Sequence, residues 1–170
     1  MHTTVPAALQ NFLMITEIDS ADFFISNLFK KKFGHIPPNF PRHFVAFYKD
    51  ELGGSYIAGY SHMRKVDTVY LSGGSCTEGD ALRRMSSEEK TVLAAHGGVW
   101  YQILKYKFAK LGSECEAFFG HCGDARAMQV ATAAGFVQLQ YQHLIAHWHK
   151  ALSPEYKSQL TDKIYAIGPF

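Results

Sequence analysis

Proton-transfer chemistry is available at three positions where polar side chains follow apolar stretches. His121 and Cys122 end the run AFFGHC, and Glu78 comes shortly after the run YLSGGSC. An imidazole titrates near neutral pH and can act as a base, as can a carboxylate. A cysteine is a nucleophile when its thiol ionises, although an apolar setting favours a small buried side chain. We therefore take His121, Glu78 and Cys122 as the candidate catalytic residues.

Histidines also gather near the C-terminal end, where His143, His147 and His149 all carry odd numbers. In a strand they would share one face, and His147 and His149 could chelate one ion together. Cys115 and Cys122 form no such pair, because seven residues of strand separate them by about 23 Å. A metal-binding protein that uses the three histidines is kept as an alternative, while the main interpretation requires no metal.

Glycine pairs mark two positions where a ligand could approach the backbone. Gly73-Gly74 interrupt a predicted strand, which indicates a bulge or a close contact with a ligand. Gly97-Gly98 interrupt a helical stretch, and the backbone N–H groups that follow them could bind a phosphate. On a neighbouring strand, Tyr60 and His62 share one face and are the candidates for contact with a second substrate.

The hydrophobic pattern predicts alternating strands and helices that would position these residues. Asp124 is the predicted N-cap of a helix that Gly135 ends, and Ser153 precedes a proline at the first position of the last helix. Residues 9–17 form a strand or a short helix. The predicted strands are 43–50, 55–66, 68–76, 116–122, 136–142 and 143–150, and the predicted helices are 21–32 (with Asp19 or Ser20 as N-cap), 86–95, 99–111, 125–134 and one that follows 153.

The helix over 99–111 is amphipathic. Its apolar side chains recur at helical spacing and should face the core. Lys105, Lys107 and Lys110 are expected to face water.

Composition limits the class of protein. The chain has 170 residues, 47% of them hydrophobic and only 19% charged, which excludes a disordered chain and favours one α/β domain with a mixed sheet. A net charge of +2 argues against nucleic acid or an anionic membrane as partner.

The apolar runs are too short to span a bilayer. Three cysteines provide no disulfide framework and favour a reducing cytoplasm. The aromatic content and the apolar tail IYAIGPF favour a homodimer.

The segment over 117–139, AFFGHCGDARAMQVATAAGFVQL, resembles the strand–helix–strand unit of the GCN5-related N-acetyltransferase superfamily. In that family a strand leads to a helix that ends in Gly-Phe, and a further strand follows. Gly135-Phe136 stand in the Gly-Phe place, Asp124 in the place of the usual Asn, and Ala127 in the place of a small residue. The order of elements over about 9–150 is also similar.

The resemblance implies a central mixed β-sheet with splayed parallel strands flanked by helices. An extra C-terminal helix over 151–170 would pack on the main domain, 1–150. It also implies transfer of an acyl group from acetyl-CoA or another acyl-CoA, by direct attack of an amine on the thioester. The thioester would lie between strands 68–76 and 116–122, and the pyrophosphate would lie on the N-terminus of the helix between them. The implied cofactor contacts are Gly74, Ser75, Cys76, His96, Gly97, Gly98, Val99, Asp124 and Arg126.

Two departures from the family leave alternatives open. The family's phosphate loop reads Gln/Arg-x-x-Gly-x-Gly/Ala, and only its last position, Gly97, matches here. Ala131 stands where many members place a tyrosine that protonates the leaving thiolate. Tyr141 or Cys122 could replace that acid, or a thiolate of pKa about 8.5 could leave unaided. The main prediction is an N-acyltransferase acting on a small-molecule or peptide amine. The alternative is a catalytically silent acyl-CoA-binding or assembly member of the same fold.

Overall fold

The computed structural model of the chain describes residues 5–39 and 42–170. The strands of this part of the chain are β1 (Leu13–Ile18), β2 (Arg42–Lys49), β3 (Ser55–Val66), β4 (Val69–Thr77), β5 (Ala117–His121), β6 (Val137–Gln138) and β7 (Leu144–Trp148). They form one sheet in the order β1-β2-β3-β4-β5-β7-β6. Strands β4 and β5 pair in parallel, and the other neighbours pair antiparallel. The predicted mixed sheet is therefore confirmed.

Helices cover both faces of the sheet. They are α1 (Asp22–Phe33), α2 (Gly79–Arg84), α3 (Ser87–Ala95), α4 (Gly98–Leu111), α5 (Ala125–Ala134) and α6 (Pro154–Tyr165). The chain between parallel β4 and β5 contains α2, α3 and α4, because a parallel connection must cross back over the sheet. Among residues 5–39 and 42–170, none of the helices combines the length and apolar character needed to cross a bilayer.

The larger core lies on one face of the sheet, which we call the α4 face. Val99, Ile103 and Phe108 of α4 pack there against strand residues such as Phe44 and Phe118. The opposite face, which we call the α1 face, carries two separate clusters. One lies between α1 and strands β2 and β3, and the other lies between α6 and strands β4, β5 and β7.

The parallel pair separates part of the way along β4. Its register runs from Val69 opposite Ala117 to Ser72 opposite Gly120, and β4 then continues to Thr77 without a partner on that side among the described residues. At the same place β4 bulges, because His62 alone on β3 faces both Gly73 and Gly74 between the flanking pairs. The predicted splay and the predicted glycine bulge therefore coincide.

Several predicted boundaries are wrong for identifiable reasons. Helix α1 begins at Asp22 with Ala21 as its N-cap, so neither Asp19 nor Ser20 caps it. Strand β6 has two residues, since residues 140–143 form a tight turn into β7 that is closed by the hydrogen bond from the Leu144 N–H to the Tyr141 carbonyl. Strand β7 begins at Leu144 because His143 has a positive φ of 64°, which no strand residue adopts. Helix α2 was not predicted.

Candidate active site at the strand splay

The bulge on β4 brings the backbone close to aromatic side chains on the α1 face. A Cβ atom at Gly73 would overlap the imidazole of His62, and a Cβ atom at Gly74 would lie 2.6 Å from Cζ of Phe29. Only glycine therefore fits at either position while both rings stay in place. The paired glycines let β4 bulge beneath these two rings, beside the gap that opens toward β5.

Tyr60 and His62 lie under α1 rather than on an open surface. Their side chains are 0% and 3% exposed, and the Tyr60 hydroxyl hydrogen-bonds with Nδ1 of His43 at 2.8 Å and with Nδ1 of His62 at 3.3 Å. Burial and the Lys107 charge lower the pKa of His62 to about 3, and burial raises the pKa of Tyr60. Both groups are thus neutral at pH 7 and lie directly behind the bulge.

The N-terminus of α4 lies at the open end of the splay. Val99 and Ile103 pack against Gly59, which pairs with Thr77 at the end of β4. Gly97 is the N-cap of α4 and provides no side-chain hydrogen bond to it. Gly97 and Gly98 have φ of 86° and 84°, and a Cβ atom at Gly98 would meet only open space. The first N–H groups of a 14-residue helix therefore lack a side-chain cap at this end of the cleft.

The other predicted cofactor contacts have different surroundings. His96 ends α3, and its Nδ1 hydrogen-bonds with the carbonyl of Val92 at 2.8 Å. Asp124 caps α5 by accepting a 2.7 Å hydrogen bond from the N–H of Ala127, so that helix start already carries a carboxylate. Arg126 is exposed one residue into α5.

His121 ends β5, and Cys122 follows it on the opposite face of the sheet. The His121 ring packs against Phe170, with centroids 4.5 Å apart, and its Nδ1 is buried without a hydrogen-bond partner among the described residues. Burial and the nearby His143 lower the pKa of His121, which keeps the imidazole neutral at pH 7. Burial raises the pKa of Cys122, so its sulfur stays a thiol.

Glu78 lies just beyond β4. Its carboxylate caps α2 by accepting a hydrogen bond from the N–H of Asp80 and forms an ion pair with Lys31 at 3.3 Å. Cys76, near the end of β4, is half-buried, and burial raises the pKa of its thiol to about 11. Glu78 therefore has a structural role at the start of α2.

Ala131 stands where many family members place the tyrosine that protonates the leaving thiolate, and Tyr141 is a candidate replacement for that acid. Ala131 is buried at 2% exposure inside the α5 contact, where a tyrosine would not fit without displacing its neighbours. The Tyr141 hydroxyl donates to Asp162 at 2.8 Å, and its ring stacks on Tyr165 of α6. Tyr141 is thus held by α6 on the side of the sheet away from α4.

Lys107 is the polar residue that the sequence reasoning placed wrongly. It is 1% exposed, not directed to water, and its Nζ donates to the hydroxyls of Ser61 at 2.8 Å and Ser72 at 3.0 Å. The Trp100 ring covers it at 4.9 Å. Burial lowers the pKa of Lys107 to about 7. The helical period could have revealed this, because position 107 falls on the apolar stripe that includes Ile103.

The three histidines of the metal alternative do not form one strand face. His143 lies in the turn before β7, while Nδ1 of His147 hydrogen-bonds with the Gly135 carbonyl at 3.0 Å and its ring stacks on Phe108. His149 follows the strand and packs against Gly112. In the part of the chain that the structure describes, no three His, Cys, Asp or Glu side chains are arranged to hold a metal ion.

A cavity of about 750 Å³ lies beside α4, on the side away from Lys107. Its lining includes Tyr101, Gln102 and Lys105 of α4, together with Val5, His96 and Gly97. It therefore adjoins the start of α4 at Gly97, whereas no residue of β4 or β5 is among those that line it.

Comparison with known proteins gives likenesses only among solved structures. No family model matches the chain, and no curated protein does. The ribosomal-protein-S18-alanine N-acetyltransferase from Escherichia coli aligns over 84% of this chain and 97% of its own, with a TM-score of 0.49 and 9% identity. A putative acetyltransferase of the GNAT family from Desulfovibrio desulfuricans covers 81% of this chain and 99% of its own, with a TM-score of 0.44 and 12% identity. The structure of AtaTR bound with AcCoA covers 91% of this chain and 99% of its own, with a TM-score of 0.43 and 11% identity.

The fold assignment rests on the sheet itself. The parallel strands β4 and β5 are adjacent and splay beyond Ser72, a glycine bulge lies on the earlier strand, and α4 begins at the open end. These are the features that the sequence resemblance led us to expect. The chain therefore has the fold of the GCN5-related N-acetyltransferases.

Proposed function

We propose that the protein is an acyl-CoA-dependent N-acyltransferase whose thioester binds in the gap between β4 and β5. The observation that carries the proposal is the coincidence of three features at one end of the sheet. These are the unpaired segment of β4 beyond Ser72, the bulge at Gly73-Gly74, and the uncapped start of α4 at Gly97-Gly98.

The start of α4 fits a diphosphate. Backbone N–H groups at a helix N-terminus, together with the helix dipole, bind anions without needing basic side chains. Gly98 leaves the approach open, since a Cβ atom there would meet nothing within 4 Å. This fit compensates for the poor match of the phosphate-loop sequence, because the interaction depends on backbone groups rather than on a particular side chain.

The unpaired part of β4 fits an acyl-pantetheine chain. Beyond Ser72 its backbone N–H and C=O groups have no strand partner on the β5 side among the described residues. Such groups need a hydrogen-bond partner when they are covered, and an extended ligand with amide groups supplies one. An N–H group of this segment would also stabilise the oxyanion that forms when an amine attacks the thioester carbonyl.

His121 is the base that we favour for the attacking amine. It ends β5 on the α1 face, and its lowered pKa keeps it neutral at pH 7. Its buried Nδ1 lacks a hydrogen-bond partner within residues 5–39 and 42–170, so no other group occupies this nitrogen and it can accept a proton. Glu78 remains the second candidate, and its carboxylate also pairs with Lys31 and caps α2.

Calorimetric titration with CoA and acetyl-CoA tests the proposal. Gly98→Asp places a carboxylate at the start of α4 and should weaken CoA binding more than tenfold, because it repels the diphosphate. Gly53→Asp is the matched control, since Gly53 has a φ of 85° and equally open surroundings in the β2–β3 turn. Equal binding by Gly98→Asp and the parent chain, or no binding of CoA by the parent chain, would reject the proposal.

A second measurement distinguishes an active transferase from a catalytically silent acyl-CoA-binding protein of the same fold. The silent alternative is favoured by Ala131, which leaves the usual acid position without a titratable group. Consumption of bound acetyl-CoA in the presence of a panel of small amines and N-terminal peptides would exclude it. Tight CoA binding with no consumption across the panel would support it.

A further inference from the structure

A charged side chain is buried at the point where β4 and β5 separate. Lys107 Nζ lies within hydrogen-bond distance of Ser61 on β3 and of Ser72, the last residue of β4 that pairs with β5. Its third side is covered by the Trp100 ring. A lysine almost never becomes fully buried without a carboxylate, so its presence here calls for an explanation beyond packing.

A chain of hydroxyl groups connects this lysine to the cleft. Ser61 Oγ, which accepts a hydrogen bond from Lys107, also lies 3.0 Å from Ser75 Oγ, and Ser75 Oγ lies 3.1 Å from the Gly73 carbonyl. Since Ser61 Oγ accepts a hydrogen bond from Lys107, its own hydrogen can point to Ser75, whose hydrogen then points to the Gly73 carbonyl. From that carbonyl the hydrogen of Ser75 can rotate toward a ligand.

The far end of this chain lies where the proposed thioester would be. Ser75 is on β4 beyond the last pair with β5, and it is half-buried, whereas Ser61 is completely buried. Its side chain is on the α4 face, the face from which α4 begins and from which the pantetheine chain would enter. Ser75 is therefore the accessible end of this chain of hydroxyl groups, and Lys107, at the other end, is buried.

We propose that Lys107, Ser61 and Ser75 form a proton path that protonates the leaving CoA thiolate. The inference rests on the proposed function, and it supplies the acid that Ala131 does not. The amine nitrogen forms a bond with the thioester carbon and loses a proton to His121, the base proposed above, and the carbon–sulfur bond breaks with its electron pair on sulfur. Sulfur takes the hydrogen of Ser75, Ser75 takes that of Ser61, and Ser61 takes one from the Lys107 ammonium.

The path is reset when Lys107 regains a proton along the same hydroxyls after the product leaves. Burial lowers the pKa of Lys107 to about 7, so both protonation states are accessible near neutral pH. Burial and the Lys107 charge lower the pKa of His62, on the other face of β3, so that His62 is neutral over this range. Ser75 is the residue that would touch the sulfur, and Lys107 and Ser61 act through it.

The pKa of the thiol of bound CoA tests the path without knowledge of the acceptor amine. The thiolate is followed by its ultraviolet absorbance as pH is raised, in protein saturated with CoA. The complex with desulfo-CoA, in which hydrogen replaces the thiol, is the blank. It cancels the absorbance of tyrosines and cysteines of the protein, and it reports independently whether the site is filled.

The thiol should ionise about one pH unit lower in the parent chain than in Ser75→Ala, because a hydrogen bond to a charged sulfur is lost. Lys107→Met should show a smaller loss, because Ser75 keeps its hydroxyl and only the donor to Ser61 is removed. Ser72→Ala is the matched control and should keep the parent value, since Ser72 contacts Lys107 outside the path. Ser75 is half-buried, so Ser75→Ala keeps the test decisive if Lys107→Met does not fold.

The outcomes separate the two proposals. Equal thiol pKa values in the parent chain and Ser75→Ala, with desulfo-CoA bound by both, would overturn the proton path and leave the proposed function intact. An equal loss in Ser72→Ala and Ser75→Ala would also overturn the path, because it would show a general disturbance of the cleft. Failure of the parent chain to bind either CoA or desulfo-CoA would overturn both.

Discussion

Replacing the buried lysine should remove a specific pH dependence of stability. In the folded protein the pKa of Lys107 is about 7, against an ordinary value of 10.5. Between these two values the unfolded chain holds the proton and the folded chain does not, so the free energy of unfolding rises with pH. Below pH 7 the burial of Lys107 destabilises the folded protein by its full amount. This destabilisation decreases as the pH rises from 7 to 10.5, and it is absent above about pH 10.5.

The magnitude follows from the two pKa values. One proton bound only in the unfolded state changes the free energy of unfolding by about 1.4 kcal/mol per pH unit, and between pH 7.5 and 9.5 the change is about 2.5 kcal/mol. Lys107→Met should therefore lack this gain, whatever constant offset its altered packing introduces. Other groups, such as Cys76, titrate in both proteins and cancel in the difference.

Urea unfolding followed by tryptophan fluorescence measures the effect at pH 7.5, 8.5 and 9.5. The difference between the parent chain and Lys107→Met should move by about 2.5 kcal/mol in favour of the parent chain, with unchanged urea dependence. A difference that stays constant across these pH values would show that Lys107 keeps an ordinary pKa, and the burial reasoning would be refuted.

Three further substitutions test other parts of the account. Gly73→Ala should destabilise the protein by about 1–3 kcal/mol through overlap with His62, and adding His62→Ala should recover part of the loss in thermal unfolding; no recovery would contradict the packing of the bulge. Ser86→Ala removes the capping box of α3 and should cost about 1 kcal/mol in urea unfolding without changing CoA affinity; unchanged stability would count against that cap. Ala131→Tyr should lower the free energy of unfolding by about 1–3 kcal/mol through overpacking and should not increase the rate of thioester consumption. A variant as stable as the parent chain that consumes thioester faster would contradict the packing described for α5.

The elements that the sequence predicts well have local signals at their ends. Helix α5 runs between Asp124 and Gly135 as predicted, because a side-chain cap and a left-handed glycine fix both ends within the chain itself. Helix α6 similarly begins after Ser153, which caps it, with proline at the first position. The bulge at Gly73-Gly74 was also predictable from a local signal, because paired glycines within a strand mark a place where a side chain would not fit.

The elements that were missed depend on the rest of the fold. Strand β6 exists only because Val137 and Gln138 reach β7, and no local pattern specifies how far that pairing extends. Helix α2 has six residues and one buried side chain, too few to produce a helical stripe. Lys107 was assigned to the surface by residue type, although its helical position placed it in the core, and its burial is tolerated because Ser61 and Ser72 solvate it.

The location of the CoA sulfur is the most direct test of the central claim. In a crystal structure of the CoA complex, the account predicts the diphosphate on the first N–H groups of α4, with the sulfur between β4 beyond Ser72 and the end of β5. Ser75 Oγ should lie within hydrogen-bond distance of that sulfur. CoA bound instead in the cavity beside Tyr101 and Lys105, with the gap between β4 and β5 closed by side chains, would contradict the account.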